Sequence, residues 1–274
     1  MTPAPATRRA FEGKTVLLTG AGSGIGMALA LRLLECGAKV HAADMNAAGL
    51  DSLAAEAKAD GKLVPRVLDV TNREDYGRWV SECLVGDGSI DYLFNNAGVT
   101  LLGEAHKVPF QRWKWLLDIN LMGVLNGVMH VYPVMVKQGR GHIVSTGSVA
   151  GVTGYATASA YTMAKKAVIG MSHSLASEAE AYGVKVTVVC PGYVNSNIFT
   201  QDRVVGANVG EVLKDLPAPM MTPTDAARFY LDGVAKGKRT VVFPANAKLL
   251  WAIARWVPGL LGPIQERLMR KFSR

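Results

Sequence analysis

Residues 14–37 read KTVLLTGAGSGIGMALALRLLECG. Lys14–Thr19 is a short apolar run, and Thr19-Gly20-Ala21-Gly22-Ser23-Gly24-Ile25-Gly26 follows it as a glycine-rich turn. From Ile25 to Cys36 apolar residues recur at helical spacing until Gly37 stops them. A strand, a glycine turn and a helix in direct succession form an anion-binding corner. The glycines let the backbone approach a diphosphate, and the helix start offers unpaired N–H groups at the positive end of its dipole. The spacing is Gly-x-x-x-Gly-x-Gly, not the commoner Gly-x-Gly-x-x-Gly. A plain glycine-rich turn is the alternative, but the flanking strand and helix favour a dinucleotide site at Gly20, Ser23, Gly24, Ile25 and Gly26.

The same alternation continues along the chain. Strands are expected at Ala38–Asp44, Leu63–Leu68, Ile90–Asn95, Gly141–Thr146, Val184–Cys190 and Thr240–Phe243, making seven with the first. Helices are expected from Asn46 to about Asp60 (closed by Gly61), Asn72–Val85, about Phe110 to Lys137 (ended by Gly139), Ala158–Tyr182 and Thr224–Lys236. Residues 191–219 read as a long loop. Strands that are near-continuous apolar runs, joined by helices, indicate a parallel sheet covered on both faces. Right-handed crossovers then give an α/β, doubly wound Rossmann-type sheet. Composition shows no break before about residue 245. We therefore expect a disordered leader at 1–10, one folded domain at 11–244, and a helical extension at 245–274.

The bulk numbers exclude several classes. The chain has 274 residues, 49% apolar and 19% charged, so a full core can form and disorder is disfavoured. Its 29 glycines have no period of three. Cys36, Cys83 and Cys190 lie at no metal-ligand spacing, so no metal is expected, and so sparse a set suits a reducing, cytoplasmic setting. No apolar run approaches the ~18 residues of a membrane span, and MTPAPATRRA has no apolar stretch of a secretory signal. The net charge is +8. Much of it sits at the end, where Lys248, Arg255, Arg267, Arg270, Lys271 and Arg274 face only Glu266. A nearly neutral body with a basic tail does not look like a nucleic-acid groove.

Asp44 ends the second strand, 24 residues after Gly20. A carboxylate there accepts hydrogen bonds from a ribose diol and repels a 2′-phosphate, and Met45 beside it supplies no cation. NAD is therefore favoured over NADP, with a helix-capping role for Asp44 as the alternative. Asp69-Val70 ends the third strand and would lie near an adenine. Asn95-Asn96-Ala97-Gly98 ends the fourth and suggests a turn beside the cofactor, or an Asx-turn.

Tyr161 and Lys165 are four residues apart on one helix, which places phenol and ammonium on one face. A nearby ammonium favours the phenolate and makes a tyrosine a better base. Ser148 lies just past the fifth strand and could hold a carbonyl or alcohol oxygen. Asn120 interrupts an apolar helix face and needs a partner there.

Thr19–Gly26, Asn95–Gly98, Asn120, Ser148, Tyr161, Lys165 and Pro191-Gly192 occur here in the order found in the short-chain dehydrogenase/reductase family. The chain resembles its compact single-domain branch over about residues 11–244. The resemblance implies Tyr161 as general acid/base, Lys165 lowering its pKa and binding the nicotinamide ribose, Ser148 positioning the substrate oxygen, and Asn120 holding a water in a proton relay. It implies cofactor contacts by Gly20, Ser23, Ile25 and neighbours with the diphosphate, Asp44 and Met45 near the adenosine ribose, and Asp69 and Val70 at the adenine. Asn96 with Ala97 and Gly98 would lie by the ribose, and Pro191, Gly192, Val194 and Ser196 by the nicotinamide. Ser196 stands where the family usually has Thr. Ser145-Thr146-Gly147-Ser148 stands where Asn-x-Ser-Ser is frequent, with Gly147 expected to leave room beside the serine.

The expected reaction is hydride transfer between NAD(H) and a secondary alcohol or ketone. An NADPH-dependent carbonyl or 3-ketoacyl reductase is the second reading, and a non-catalytic redox sensor the third. Tyr193, Phe199, Leu216 and other apolar residues of the 193–221 loop point to an apolar substrate. The resemblance also implies a homodimer or homotetramer through the helices carrying Asn120 and Tyr161. In the tail, Pro258 and Pro263 divide two short helices. Its two tryptophans and its cations allow packing on the body or on a sister subunit, or contact through 248–274 with a membrane surface.

Overall fold

The computed structural model describes residues 2–57, 61–196, 198–214, 216 and 219–272, with the side chains at 264, 267, 268 and 271 outside that description. In chain order the elements are α1 (Pro5–Phe11), β1 (Thr15–Thr19), α2 (Gly24–Glu35), β2 (Lys39–Asp44), α3 (Ala47–Ala57), β3 (Leu63–Val67), α4 (Arg73–Asp87) and β4 (Tyr92–Asn95). There follow α5 (Phe110–Leu117), a π-helical turn at Asp118–Met122, α6 (Gly123–Gln138), β5 (Gly141–Thr146), α7 (Ala150–Thr153), α8 (Ser159–Ala179) and β6 (Val184–Pro191). The chain ends with α9 (Val209–Lys214), α10 (Pro223–Ala235), β7 (Thr240–Phe243), α11 (Ala245–Trp256) and α12 (Gly262–Phe272). The expected helix end near Asp60 lies outside the described residues, as do Asp215 and the side chains of Arg267, Lys271 and Arg274.

All seven strands are parallel, in the order β3-β2-β1-β4-β5-β6-β7. The chain works outward from β1 in one direction and then restarts at β4 in the other. The crevice beyond the carboxyl ends of β1 and β4 is thus the topological switch point. Side chains alternate across the sheet. Val16 and Leu18 join Leu29, Leu33 and Tyr230 under α2 and α10, whereas Leu17 joins Leu93, Ile143 and Val131 under α4 and α6. Both faces are covered, which is why the strands read as continuous apolar runs. Pro65 and Arg66 fall on edge strand β3, where a missing N–H and an outward charge are tolerated.

Five features depart from the sequence reading. In place of a disordered leader, Pro5–Phe11 form α1. Its anchor is Phe11, fully buried with its ring 4.8 Å from that of Tyr92 and 6.3 Å from that of Phe94. Thr7 Oγ1 also donates to Asp232 Oδ1 at 2.5 Å. Phe11→Ala is expected to cost about 3–5 kcal/mol, the usual penalty for emptying an aromatic site. Urea denaturation measures it, and an unchanged midpoint would mean that α1 contributes nothing.

The long helix expected at 110–137 is instead two helices joined by the π turn. The extra residue in that turn aims Asn120 inward, fully buried. By length and composition Phe110–Gln138 could also cross a membrane, contrary to the sequence reading. Here it lies along the sheet beside α4, with Val128, Val131 and Met135 buried. The long 191–219 loop contains a 3-10 turn (Gln201–Arg203) and α9, tied down by bridges between Leu102 and Val204 and between Val194 and Met221. Finally, Gly147 leaves no room beside Ser148. A Cβ there would stand 2.9 Å from Cys190 Sγ and 3.1 Å from Val188 Cγ2, so close packing against β6 is what demands a glycine.

Candidate active site

The turn after β1 is braced from beneath. Asn96 Nδ2 donates to the carbonyls of Thr19 and Gly20, each at 3.2 Å, and Thr19 Oγ1 accepts from the amides of Asn96 and Ala97. Thr146 Oγ1 donates to Asn96 Oδ1 at 3.3 Å, so this side chain links the ends of β1, β4 and β5. Gly26 packs directly against the turn. A Cβ there would lie 1.7 Å from the Gly20 carbonyl oxygen, closer than any side chain can stand. Ser23 precedes α2 without a side-chain cap, so the first amides of the helix face the crevice, as an anion site requires.

Asp44 closes the far side of the turn. Its Oδ2 accepts from the Gly22 amide at 2.8 Å and its Oδ1 from the Asn46 amide at 2.9 Å. Asn46 itself accepts from Gly49 N at the start of α3, so the helix-capping duty falls to Asn46. Met45 is 68% exposed. Asp69 Oδ1 accepts from both the amide and the hydroxyl of Thr71, and the Val70 carbonyl accepts from Asn126 Nδ2. Both residues therefore hold fixed positions on the crevice wall.

On the other side, Ser148 and Tyr161 lie close together, and Lys165 Nζ stands 5.7 Å from the Tyr161 ring centroid. Lys165 is buried and donates to the Thr146 carbonyl at 2.8 Å. Asn120 finds its partner in the backbone of Val99. Its Oδ1 accepts from Val99 N at 2.8 Å and its Nδ2 donates to Val99 O at 2.7 Å. A Cβ on Gly98 would lie 3.2 Å from Asn120 Oδ1 and 3.4 Å from Lys165 Nζ, so the three positions share one point.

The sequence reading has Lys165 lowering the Tyr161 pKa. In the structure burial prevails, pushing the phenol up to about 12, with the neighbouring Ser148 hydroxyl acting in the lowering direction. Burial also brings Lys165 down to about 8. The Cys190 thiol is raised to about 12 by burial, although Lys165 opposes this.

One continuous cavity of about 840 Å³ joins these groups. It runs from Gly20, Asp44 and Asp69 past Asn96, Ala97 and Gly98 to Ser148, Tyr161 and Lys165. Pro191, Gly192, Val194 and Ser196 line it as well. The bonds of the Val194–Met221 bridge are made by Tyr193, Asn195 and Met221, so they do not use the Val194 amide. Asn120 does not line the cavity and stands behind Gly98.

Sequence reading missed the cavity-lining Asn246, Leu249, Leu250, Leu261 and Gln265 of the C-terminal extension, together with Tyr155. No sequence signal places them there, because nothing local says where a segment after the last strand will fold back. The extension packs on the body through Ala247, Trp251 and Leu261. Among the described residues no cluster of His, Cys, Asp and Glu could hold a metal ion.

The cavity brings together what a dinucleotide site needs: a glycine turn, open helix amides and the Asp44 carboxylate beside them. Comparisons with known proteins agree. The family model described as short chain dehydrogenase matches residues 14–204. The chain is 34% identical over 265 residues to the Mycobacterium tuberculosis protein SadH, named as an oxidoreductase, covering 94% of this chain and 95% of that one. It is 39% identical over 187 residues to the Thermotoga maritima 3-oxoacyl-(acyl-carrier-protein) reductase FabG, covering 68% and 76%. A solved short chain dehydrogenase/reductase from Burkholderia phymatum in complex with NAD superposes with a TM-score of 0.80, at 26% identity and with 90% and 93% of the chains covered. A match of this extent, on this sheet and around this cavity, means that the chain belongs to the short-chain dehydrogenase/reductase family of oxidoreductases.

Proposed function

We propose that the protein transfers hydride between NAD(H) and an apolar secondary alcohol or ketone, with Tyr161 as the general acid/base. The observation that carries this is the single cavity in which the Ser148–Tyr161–Lys165 group meets the glycine turn and Asp44. Family members bind NAD(P). Here Gly20, Ser23, Gly24, Ile25 and Gly26 would hold the diphosphate, Asp44 with Met45 the adenosine ribose, and Asp69 and Val70 the adenine. Asn96, Ala97, Gly98, Tyr161 and Lys165 would lie along the second ribose, with Pro191, Gly192, Val194 and Ser196 at the nicotinamide. When bound, the dinucleotide supplies the hydride acceptor or donor.

The chain's own residues handle the proton and the oxygen. Ser148 Oγ holds the substrate oxygen. Tyr161 Oη takes the hydroxyl proton in oxidation and returns it in reduction. The Lys165 ammonium offsets the charge left on the phenolate. Asn120 would hold a water that passes the proton on toward Lys165. Oxidation needs the phenolate and reduction the phenol, so oxidation is expected to speed up, and ketone reduction to slow down, as pH rises.

Asp44 decides the cofactor. Its carboxylate repels a 2′-phosphate, and Met45 offers no compensating cation. Thermal stabilisation by NAD against NADP tests this directly, and preferential stabilisation by NADP would overturn it. Asp44→Asn keeps an acceptor for the Gly22 amide but removes the charge, so the preference for NAD should narrow. Asp44→Ala removes the ribose acceptor altogether and should weaken NAD by roughly 10–100-fold, the worth of a charge-assisted hydrogen bond, without a matching loss for NADP. Unchanged NAD binding in Asp44→Ala would remove the residue from the site.

A homodimer or homotetramer fits the exposed apolar residues on the outer faces of α5 to α8. Phe110 is 76% exposed, and Met129 and Met163 about half as apolar cover for a partner. Light scattering on the purified protein reads the assembly. We place the enzyme in the cytoplasm, in keeping with three buried free thiols.

A further inference from the structure

The C-terminal segment attaches at three places around the substrate end of the cavity. At its root, Ala247 is buried and Trp251 packs with Ile169, Val188 and Cys190. In α12, Gln265 accepts from the Ala156 amide at 2.7 Å and donates to the Gly154 carbonyl at 3.0 Å. At the far end, Phe272 packs against Leu102, Ala158 and Val204, the cluster that also receives Phe199 and Val209 of the loop after β6.

The turn held by Gln265 carries Tyr155 and leads into α8, the helix of Tyr161. It contains Thr157 with φ of 71°, a left-handed conformation that a β-branched residue keeps only when its surroundings enforce it. Gln265 is part of that enforcement, together with Gly103, whose amide donates to the Thr157 carbonyl at 2.7 Å. Between these attachments, Leu249, Leu250 and Leu261 face the cavity. The cation in this wall, Arg203, is engaged within its own loop, donating to the Ile198 carbonyl at 3.2 Å and standing 4.0 Å from Asp202.

We propose that Ala245–Phe272 is the outer wall of the substrate compartment, latched by Gln265, and that it selects elongated apolar secondary alcohols and ketones over short ones. This rests on the alcohol and ketone reading above. The physical basis is additive. Each methylene moved from water to the leucine-lined wall improves kcat/KM about fourfold, and the gain stops where the wall is absent.

The test compares the full chain, Gln265→Ala, and a chain ending at Val257, which lacks Leu261 and the latch but keeps α11. Each is assayed with NAD on the series from 2-butanol to 2-decanol. The full chain should favour the long alcohols. Both variants should lose at least tenfold in the ratio of 2-decanol to 2-butanol while NAD still raises the melting temperature as before. Ratios within twofold of the full chain's would overturn the proposal. A second readout needs no turnover: 2-decanone should stabilise the full chain thermally and the shortened chain much less. Equal stabilisation, or none in the full chain, would also overturn it. No oxidation of any alcohol, with the 2-decanone difference intact, would instead sink the reaction assignment and leave the wall standing. Should the shortened chain fail to fold, Gln265→Ala carries the same comparison.

Discussion

Tyr161→Phe lowers turnover of a secondary alcohol by roughly 10²–10⁴-fold or more, the typical contribution of a positioned proton-transfer group. The substitution removes one oxygen atom and leaves the ring, so the packing of Tyr161 against Leu116 and Ala164 survives. Thermal stability should stay close to wild type, and NAD should still raise the melting temperature. That separates a lost acid/base from a damaged fold. The pH dependence provides a second, signed check. Burial pushes the Tyr161 phenol up to about 12 and the Lys165 ammonium down to about 8. Charging the phenol is therefore opposed by the site, and alcohol oxidation in the wild type should rise with pH. In Tyr161→Phe that limb should vanish. Turnover near the wild-type value, or an unchanged pH limb in the variant, would take Tyr161 out of the reaction.

Gly26→Ala should be the most damaging single-methyl change at the cofactor end. The added Cβ would sit 1.7 Å from the Gly20 carbonyl oxygen and 2.7 Å from Asn96 Nδ2. Neither can retreat cheaply. The Gly20 carbonyl belongs to the turn itself and accepts from Asn96, and Asn96 in turn accepts from Thr146. Relief must come from moving the turn off α2. We expect about 3 kcal/mol of lost stability, at the upper end of ordinary overpacking. Thermal stabilisation by NAD should be abolished, because the helix amides no longer face the diphosphate position. Denaturant titration and NAD-induced thermal shift read the two effects. A variant that keeps its NAD shift would show that the turn is not the dinucleotide seat.

The two substitutions probe parts of the site that were legible to different degrees. The glycine turn could be read from local order alone, because strand, turn and helix are adjacent in sequence and their geometry is short-range. The i, i+4 relation of Tyr161 and Lys165 could be read for the same reason. What their environment does to them could not. Spacing suggests that the ammonium lowers the phenol, whereas the packed site desolvates both groups and sends Lys165 Nζ to the Thr146 carbonyl. Asn120 shows the same limit. Its need for a partner is visible in an apolar helix face, but its pairing with the Val99 backbone depends on a π turn that no periodicity announces.

The seven parallel strands, the glycine turn and the Tyr161–Lys165 pair could thus be read from hydrophobic period, glycine placement and short spacings, while the other site residues rested on the family resemblance. The remaining features came from long-range packing. It turned a polar leader into α1 because Phe11 fits a hole over β1 and β4. It assigned Gly147 to packing against Cys190 in place of open space. It also folded the C-terminal segment back onto the cavity through Gln265 and Phe272. Each of those outcomes depends on contacts between residues far apart in the chain, and their energies come from burial and desolvation, which a local pattern does not encode.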